Sequence, residues 1–162
     1  MSCSKAKASA YKLNCRTAII SISNILDEPV HFPNSKYLIA MLPLTFNDVS
    51  GREKFCMDEK VALQIKEFVD LISNKVDRLI VHCEFGVSRS AGIAAAILKA
   101  ISGNDSAIFD DPKYVPNMHC YRLVMDALMD EEGNLTINPF ECVYSSICVD
   151  DTICRACPKY SK

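Results

Sequence analysis

The chain has 162 residues, of which 49% are apolar and 23% charged, values that suit one folded domain and exclude a fibrous or low-complexity chain. Eighteen Lys and Arg against twenty Asp and Glu give a formal charge of -2, which leaves no global field for an extended nucleic-acid interface or an anionic membrane. No run approaches the roughly 18 apolar residues needed to cross a bilayer, and residues 1–16 carry lysines without the apolar stretch of a signal peptide, so the expectation is a cytoplasmic protein that engages no membrane.

Thr17 to Ile22 is a short, partly β-branched apolar run that reads as the first buried strand, ending before Asp27-Glu28-Pro29. A second strand is expected over Lys36 to Met41, with Pro43 interrupting the apolar segment. Leu44 to Gly51 is polar and turn-rich, which puts Asp48 on or beside a loop. Between Asp58 and Ser73 the residues Val61, Ile65, Phe68, Val69 and Ile72 recur at helical spacing, with Asp58 and Glu59 at the end where the helix dipole favours acids. Leu79 to His82 reads as a central strand buried on both faces.

After that strand come Gly86, Ser88 and Ser90, then an alanine- and isoleucine-rich helix from Ala91 to Ile101, stopped at Ser102-Gly103. Asp110-Asp111-Pro112 and Val115-Pro116-Asn117 mark an irregular connection, and a last helix is expected from about Met118 to Glu132, ended by Gly133. Alternating strands and helices predict an α/β domain with a central mixed or mainly parallel sheet flanked by helices. Residues 1–133 are expected to form that domain. Residues 134–162 read as a cysteine-rich C-terminal extension, packed on it or partly mobile.

The nine cysteines are odd in number and fit no extracellular framework, so reduced thiols are expected. Cys142, Cys148, Cys154 and Cys157 contain one Cys-x-x-Cys pair but no second close pair, a poor match to a zinc site. No metal and no cofactor are expected.

The segment His82-Cys83-Glu84-Phe85-Gly86-Val87-Ser88-Arg89-Ser90 lies between an apolar strand and a helix start, which is the make-up of an anion cradle. A loop entering a helix can turn successive N–H groups inward, and Gly86 would permit the turn. Cys83 taken alone reads as a small core residue. At the mouth of such a loop, beside Arg89, it reads as a nucleophile whose thiolate is supported by the amides and the guanidinium. Arg89 can hold two phosphate oxygens through its planar fork. Ser88 would donate to phosphate or, more in keeping with its type, to a backbone carbonyl. Phe85 would shape the entrance or pack beneath the loop, and Glu84 adds no positive charge for a highly anionic inositol phosphate.

His82-Cys83-x-x-Gly86-x-x-Arg89-Ser90 resembles the signature loop of cysteine-based protein tyrosine phosphatases, and the short chain resembles their compact dual-specificity branch. The resemblance runs from the first strand through the helix near Leu128 and includes Asn117-Met118-x-x-Tyr121-Arg122. It implies a phosphatase-like three-layer architecture in which Cys83 attacks phosphorus to form a phosphocysteine, while residues 83 to 89 bind the non-bridging oxygens. It implies Asp48 as general acid and later general base, with Asp58 the rival and Asp27 less suited. Ser90 would make the sulfur a better leaving group, and His82 would support the loop from behind. Tyr121 and Arg122 would either approach the site or serve packing and solvation.

The implied activity is hydrolysis of phosphotyrosine, and of phosphoserine or phosphothreonine if the pocket is shallow, as the compact length favours. A phosphorylated protein or peptide is the expected partner, with phosphate or sulfate able to occupy the loop. Two other classes stay open: a phosphate-recognition pseudophosphatase or scaffold module, and a phosphatase acting on RNA 5' ends or on small metabolites.

Overall fold

The computed structural model of the protein describes residues 1–49, 53–130 and 132–136. Along these the chain forms β1 (Ser2–Ser4), α1 (Lys5–Ala10), β2 (Thr17–Ser23), β3 (Leu38–Thr45), α2 (Glu59–Ile72), β4 (Arg78–Cys83), α3 (Arg89–Ser102), α4 (Ser106–Phe109) and α5 (Met118–Leu128). The four strands make one parallel sheet in the order β1-β4-β2-β3. Every residue of β2 is buried, as a strand covered on both faces must be, which explains a continuous apolar run in place of alternation.

Two apolar clusters occupy the two faces. Ala18, Ile20, Leu79 and Val81 pack with α2, α3 and α5, while Ile19 and Ile80 pack with Met1, Cys3, Ala8 and Phe32. The result is a three-layer α/β fold. Among the described residues no helix is long and apolar enough to cross a membrane.

The sheet is parallel throughout, and the second strand continues through Pro43 instead of breaking there. Pro43 pairs in register with Ser21, and β3 is an edge strand, so a missing N–H can face solvent without breaking the sheet. The first ten residues, from which no element was expected, supply β1 and α1. A three-residue Ser-Cys-Ser strand carries no periodicity; its pairing with β4 makes it a strand.

The last helix ends at Leu128, four residues early. The Asp130 carboxylate takes the backbone N–H groups of Glu132 and Asn134, closing a turn that competes with further helix, and Met129 bridges to Leu135. Thr136 donates its N–H to the Leu128 carbonyl, so the described chain folds back on α5 beyond Gly133. Residues 137–162 of the expected extension, with Cys142, Cys148, Cys154 and Cys157, lie outside the described residues.

Candidate active site

β4 ends at Cys83 and α3 begins at Arg89, so residues 84–88 form the connection between a buried strand and a buried helix. Gly86 adopts φ 74°, a left-handed conformation costly for residues with a Cβ. A Cβ there would also lie 2.2 Å from the Cys3 backbone. β1 therefore acts as a wall against which the loop turns. The contact is reinforced by the Lys5 N–H donating to the Glu84 carbonyl at 3.2 Å and by Ser2 Oγ donating to the Gly86 carbonyl at 3.2 Å.

Cys83 lies at the bottom of this turn, 2% exposed. The Gly86 amide donates to its sulfur at 3.3 Å, and Ser90 Oγ lies 3.1 Å from it. Ser90 in turn is 2.9 Å from Ser2 Oγ, so the hydroxyl beside the sulfur is oriented by β1, an element with no sequence signature. Arg89 is also 2% exposed. Its Nη1 donates to the Phe46 carbonyl at 2.7 Å, whereas its buried Nε has no hydrogen-bond partner among the described residues. A buried guanidinium N–H left without an acceptor is uncommon and costly, and an anion in the loop would satisfy it.

The loop carrying Asp48 is brought onto the same spot. Phe46 is fully buried and donates its N–H to Ser23, and Asn47 donates its N–H to the Phe55 carbonyl. Asp48 Oδ1 accepts from Ser88 Oγ and from Asn117 Nδ2, both at 2.8 Å, while Oδ2 stands 3.9 Å from Arg89 Nε. Ser88 thus places its hydroxyl on the Asp48 carboxylate and not on a backbone carbonyl. Asp58 is elsewhere engaged as the N-cap of α2, accepting from the Val61 N–H at 3.0 Å. Asp27 bonds Asn24 in the turn after β2.

Asn117 was not singled out by itself from sequence, yet it ties three elements together. Its Oδ1 caps α5 by accepting from the His119 and Cys120 N–H groups, its backbone N–H donates to the Ser88 carbonyl, and its Nδ2 reaches Asp48. Gly92 allows this approach, because a Cβ there would meet the Asn117 carbonyl oxygen at 2.4 Å. The Pro116-Asn117 dipeptide before a helix was the available signal.

Against family models, curated proteins and solved structures the chain finds no match.

His82 lies on the other face of the sheet from Cys83. Its Nε2 is 2.9 Å from Ser21 Oγ, its ring packs 5.5 Å from Phe32, and burial pushes its pKa down to about 4, keeping the ring neutral. It ties β4 to β2 behind the loop. Phe85 is 79% exposed at the mouth instead of packing beneath, and Glu84 lies 3.9 Å from Lys5. Tyr121 points away from the site, donating to Asp105 at 2.7 Å and packing edge-on against Phe109.

Cys3 and Cys120 are buried thiols whose pKa values are pushed up to about 11 and about 12, chiefly by loss of solvent. No cluster of metal-ligating side chains occurs among the described residues.

Proposed function

We propose that the protein is a cytoplasmic cysteine-dependent phosphatase with a phosphatase-type three-layer fold, hydrolysing phosphotyrosine and, where the approach is shallow enough, phosphoserine or phosphothreonine. One observation carries the reading: Cys83 Sγ and Arg89 Nε, which has no hydrogen-bond partner among the described residues, flank one strand-to-helix turn, and the Asp48 carboxylate is held 3.9 Å from that nitrogen. These are the three groups that a phosphoryl transfer to sulfur needs, and they come from two separate stretches of chain, the turn itself and the Asp48 loop.

In this reading the phosphate sits against the turn, with its non-bridging oxygens on Arg89 and the backbone amides of residues 84 to 89. Cys83 Sγ attacks phosphorus, an S–P bond forms, and the P–O bond to the leaving group breaks. The leaving oxygen takes a proton from Asp48. Two donors already occupy Asp48 Oδ1, so Oδ2, the oxygen nearer Arg89, carries that proton.

In the second half, water gives its proton to Asp48 as its oxygen attacks phosphorus, and the S–P bond breaks. Sulfur leaves as thiolate, supported by the Gly86 N–H and by the Ser90 hydroxyl, whose proton turns from Ser2 Oγ to the sulfur. Arg89 stays with the phosphoryl oxygens through both steps, where its fixed geometry stabilises transition-state charge.

The test is phosphate release without added metal from p-nitrophenyl phosphate, a phosphotyrosine peptide, a phosphoserine peptide and a 5'-triphosphate RNA, comparing wild type with Cys83→Ser. Release by wild type and near-complete loss in the variant supports the reading. Tight peptide binding with no turnover by either protein would make the fold a phosphate-recognition module, and RNA as the one substrate would move the activity to nucleic-acid ends.

A further inference from the structure

A cleft of about 400 Å³ opens beside the loop, lined by Ser88, Val115, Pro116, Asn117, Met118, His119 and Arg122. Neither Cys83 nor Arg89 is among its walls. Asp48 connects the two places, since its Oδ1 is bonded to Ser88 and Asn117, which line the cleft, and its Oδ2 faces Arg89. The floor is tied to the loop by backbone: the Val115 N–H donates to the Val87 carbonyl at 3.0 Å and the Asn117 N–H to the Ser88 carbonyl at 3.1 Å. Anything seated in the cleft is therefore held at a fixed offset from anything held by the loop.

The walls state a chemistry. Val115 and Met118 are large apolar side chains left exposed, and Pro116 lies between them. Arg122 follows Asn117 by five residues along α5, about 7.5 Å of helix rise, at the far end from Asp48. It is in no ion pair among the described residues, including with Asp126 one turn further on, whereas Lys113, the basic residue preceding the cleft, faces Asp111 at 2.9 Å. Among the described residues no carboxylate lines the cleft itself. His119, the other ionisable wall residue, has its Nε2 2.8 Å from the Met57 carbonyl, an acceptor that anchors the ring.

Resting on the phosphatase reading above, we infer that this cleft seats the residues flanking the phosphorylated side chain, with Arg122 pairing a carboxylate carried by the substrate. The substrate class is then a phosphoprotein segment with Asp or Glu within two or three residues of the phosphorylated position and an apolar side chain beside it. The loop supplies the chemistry and recognises phosphate in any setting; selection among phosphorylated segments falls to Arg122 and the Val115 to Met118 wall. An exposed ion pair contributes modestly, and the expected discrimination is accordingly modest.

The experiment compares kcat/KM for matched phosphotyrosine peptides that differ in carrying Glu or Lys at the first and second positions on either side. Wild type is expected to favour the Glu peptide on one side roughly fivefold. Arg122→Ala should bring the ratio close to one, and Arg122→Glu should reverse it. Because each ratio is taken within one protein, a general change in folding or turnover cancels. A wild-type ratio of one, or a ratio that Arg122→Glu leaves unchanged, overturns the inference while hydrolysis of p-nitrophenyl phosphate keeps the phosphatase reading standing. No phosphate release from any substrate overturns both.

Discussion

Asn117 donates its side-chain amide to Asp48 Oδ1 at 2.8 Å while its own Oδ1 caps α5. One side chain therefore starts a helix and aims a carboxylate 69 residues away in sequence. Asn117→Ser separates the two jobs, since serine caps a helix well but is too short to reach Asp48. Stability should stay within about 1 kcal/mol of wild type. Turnover of phenyl phosphate, whose leaving group needs a proton, should fall about tenfold while p-nitrophenyl phosphate changes little. Asp48→Asn should show the same pattern at about a hundredfold. Equal losses on both substrates would reduce Asn117 to a helix cap.

Arg89→Lys keeps the charge but not the fork, and it leaves the Phe46 carbonyl without its planar partner. The expected loss in kcat/KM is about a hundredfold or more. Near-normal turnover in this variant would remove Arg89 from the phosphate site.

On the phosphatase reading proposed above, Ser90 Oγ, 3.1 Å from the Cys83 sulfur, acts when sulfur leaves. Ser90→Ala should slow breakdown of the phosphocysteine more than its formation, so rapid mixing with p-nitrophenyl phosphate should show a burst of nitrophenolate before the slower steady rate. Ser2→Ala should leave the trace without a burst, because Ser2 Oγ, whose own proton goes to the Gly86 carbonyl, accepts the Ser90 proton from 2.9 Å away in competition with the sulfur. A linear trace in Ser90→Ala, at a rate equal to wild type, would contradict the role.

His82 is buried with a pKa near 4 against an ordinary 6.5. Between those values the unfolded chain holds a proton that the folded chain lacks, so stability rises with pH through that window. The contribution is full above about pH 6.5 and falls away as pH drops toward 4, by about 3 kcal/mol in all. Denaturant midpoints between pH 4 and 7 should slope accordingly, and His82→Gln should flatten the slope. A variant slope equal to wild type would assign the acid sensitivity to other groups.

Gly92→Ala places a methyl 2.4 Å from the Asn117 carbonyl oxygen. The helices must separate at that point, at a cost of about 1 to 3 kcal/mol. The shift should also loosen the Asn117 to Asp48 bond, so the leaving-group effect described for Asn117→Ser should reappear at a temperature where the variant is folded. Unaltered melting and unaltered turnover together would show that α3 and α5 are not packed this closely.

Periodicity and turn chemistry located β2, α2, β4, α3 and the start of α5 within a few residues, because each is a local apolar pattern bounded by a cap or a glycine. The same locality placed Cys83, Arg89 and Ser90 on one strand-to-helix turn, and it put Asp58 at a helix start, where it caps. Pro43 misled because a proline ends a strand only where its N–H is needed, and strand order, which decides that need, is not a local property.

Asp48, Ser88 and Asn117 were readable as separate loop or cap residues, but their convergence required α5 to pack on the first turn of α3 at Gly92. Ser2 carried no signal at all. A serine in a three-residue strand gains its function from a neighbour 88 positions away, and only the parallel pairing of β1 with β4 brings its hydroxyl to Ser90. Backbone preference and side-chain type act within a few residues, so one sequence could specify the elements and the loop; the distances between loop, acid and buttress come from long-range packing, which burial of the shared core sets for the whole chain at once.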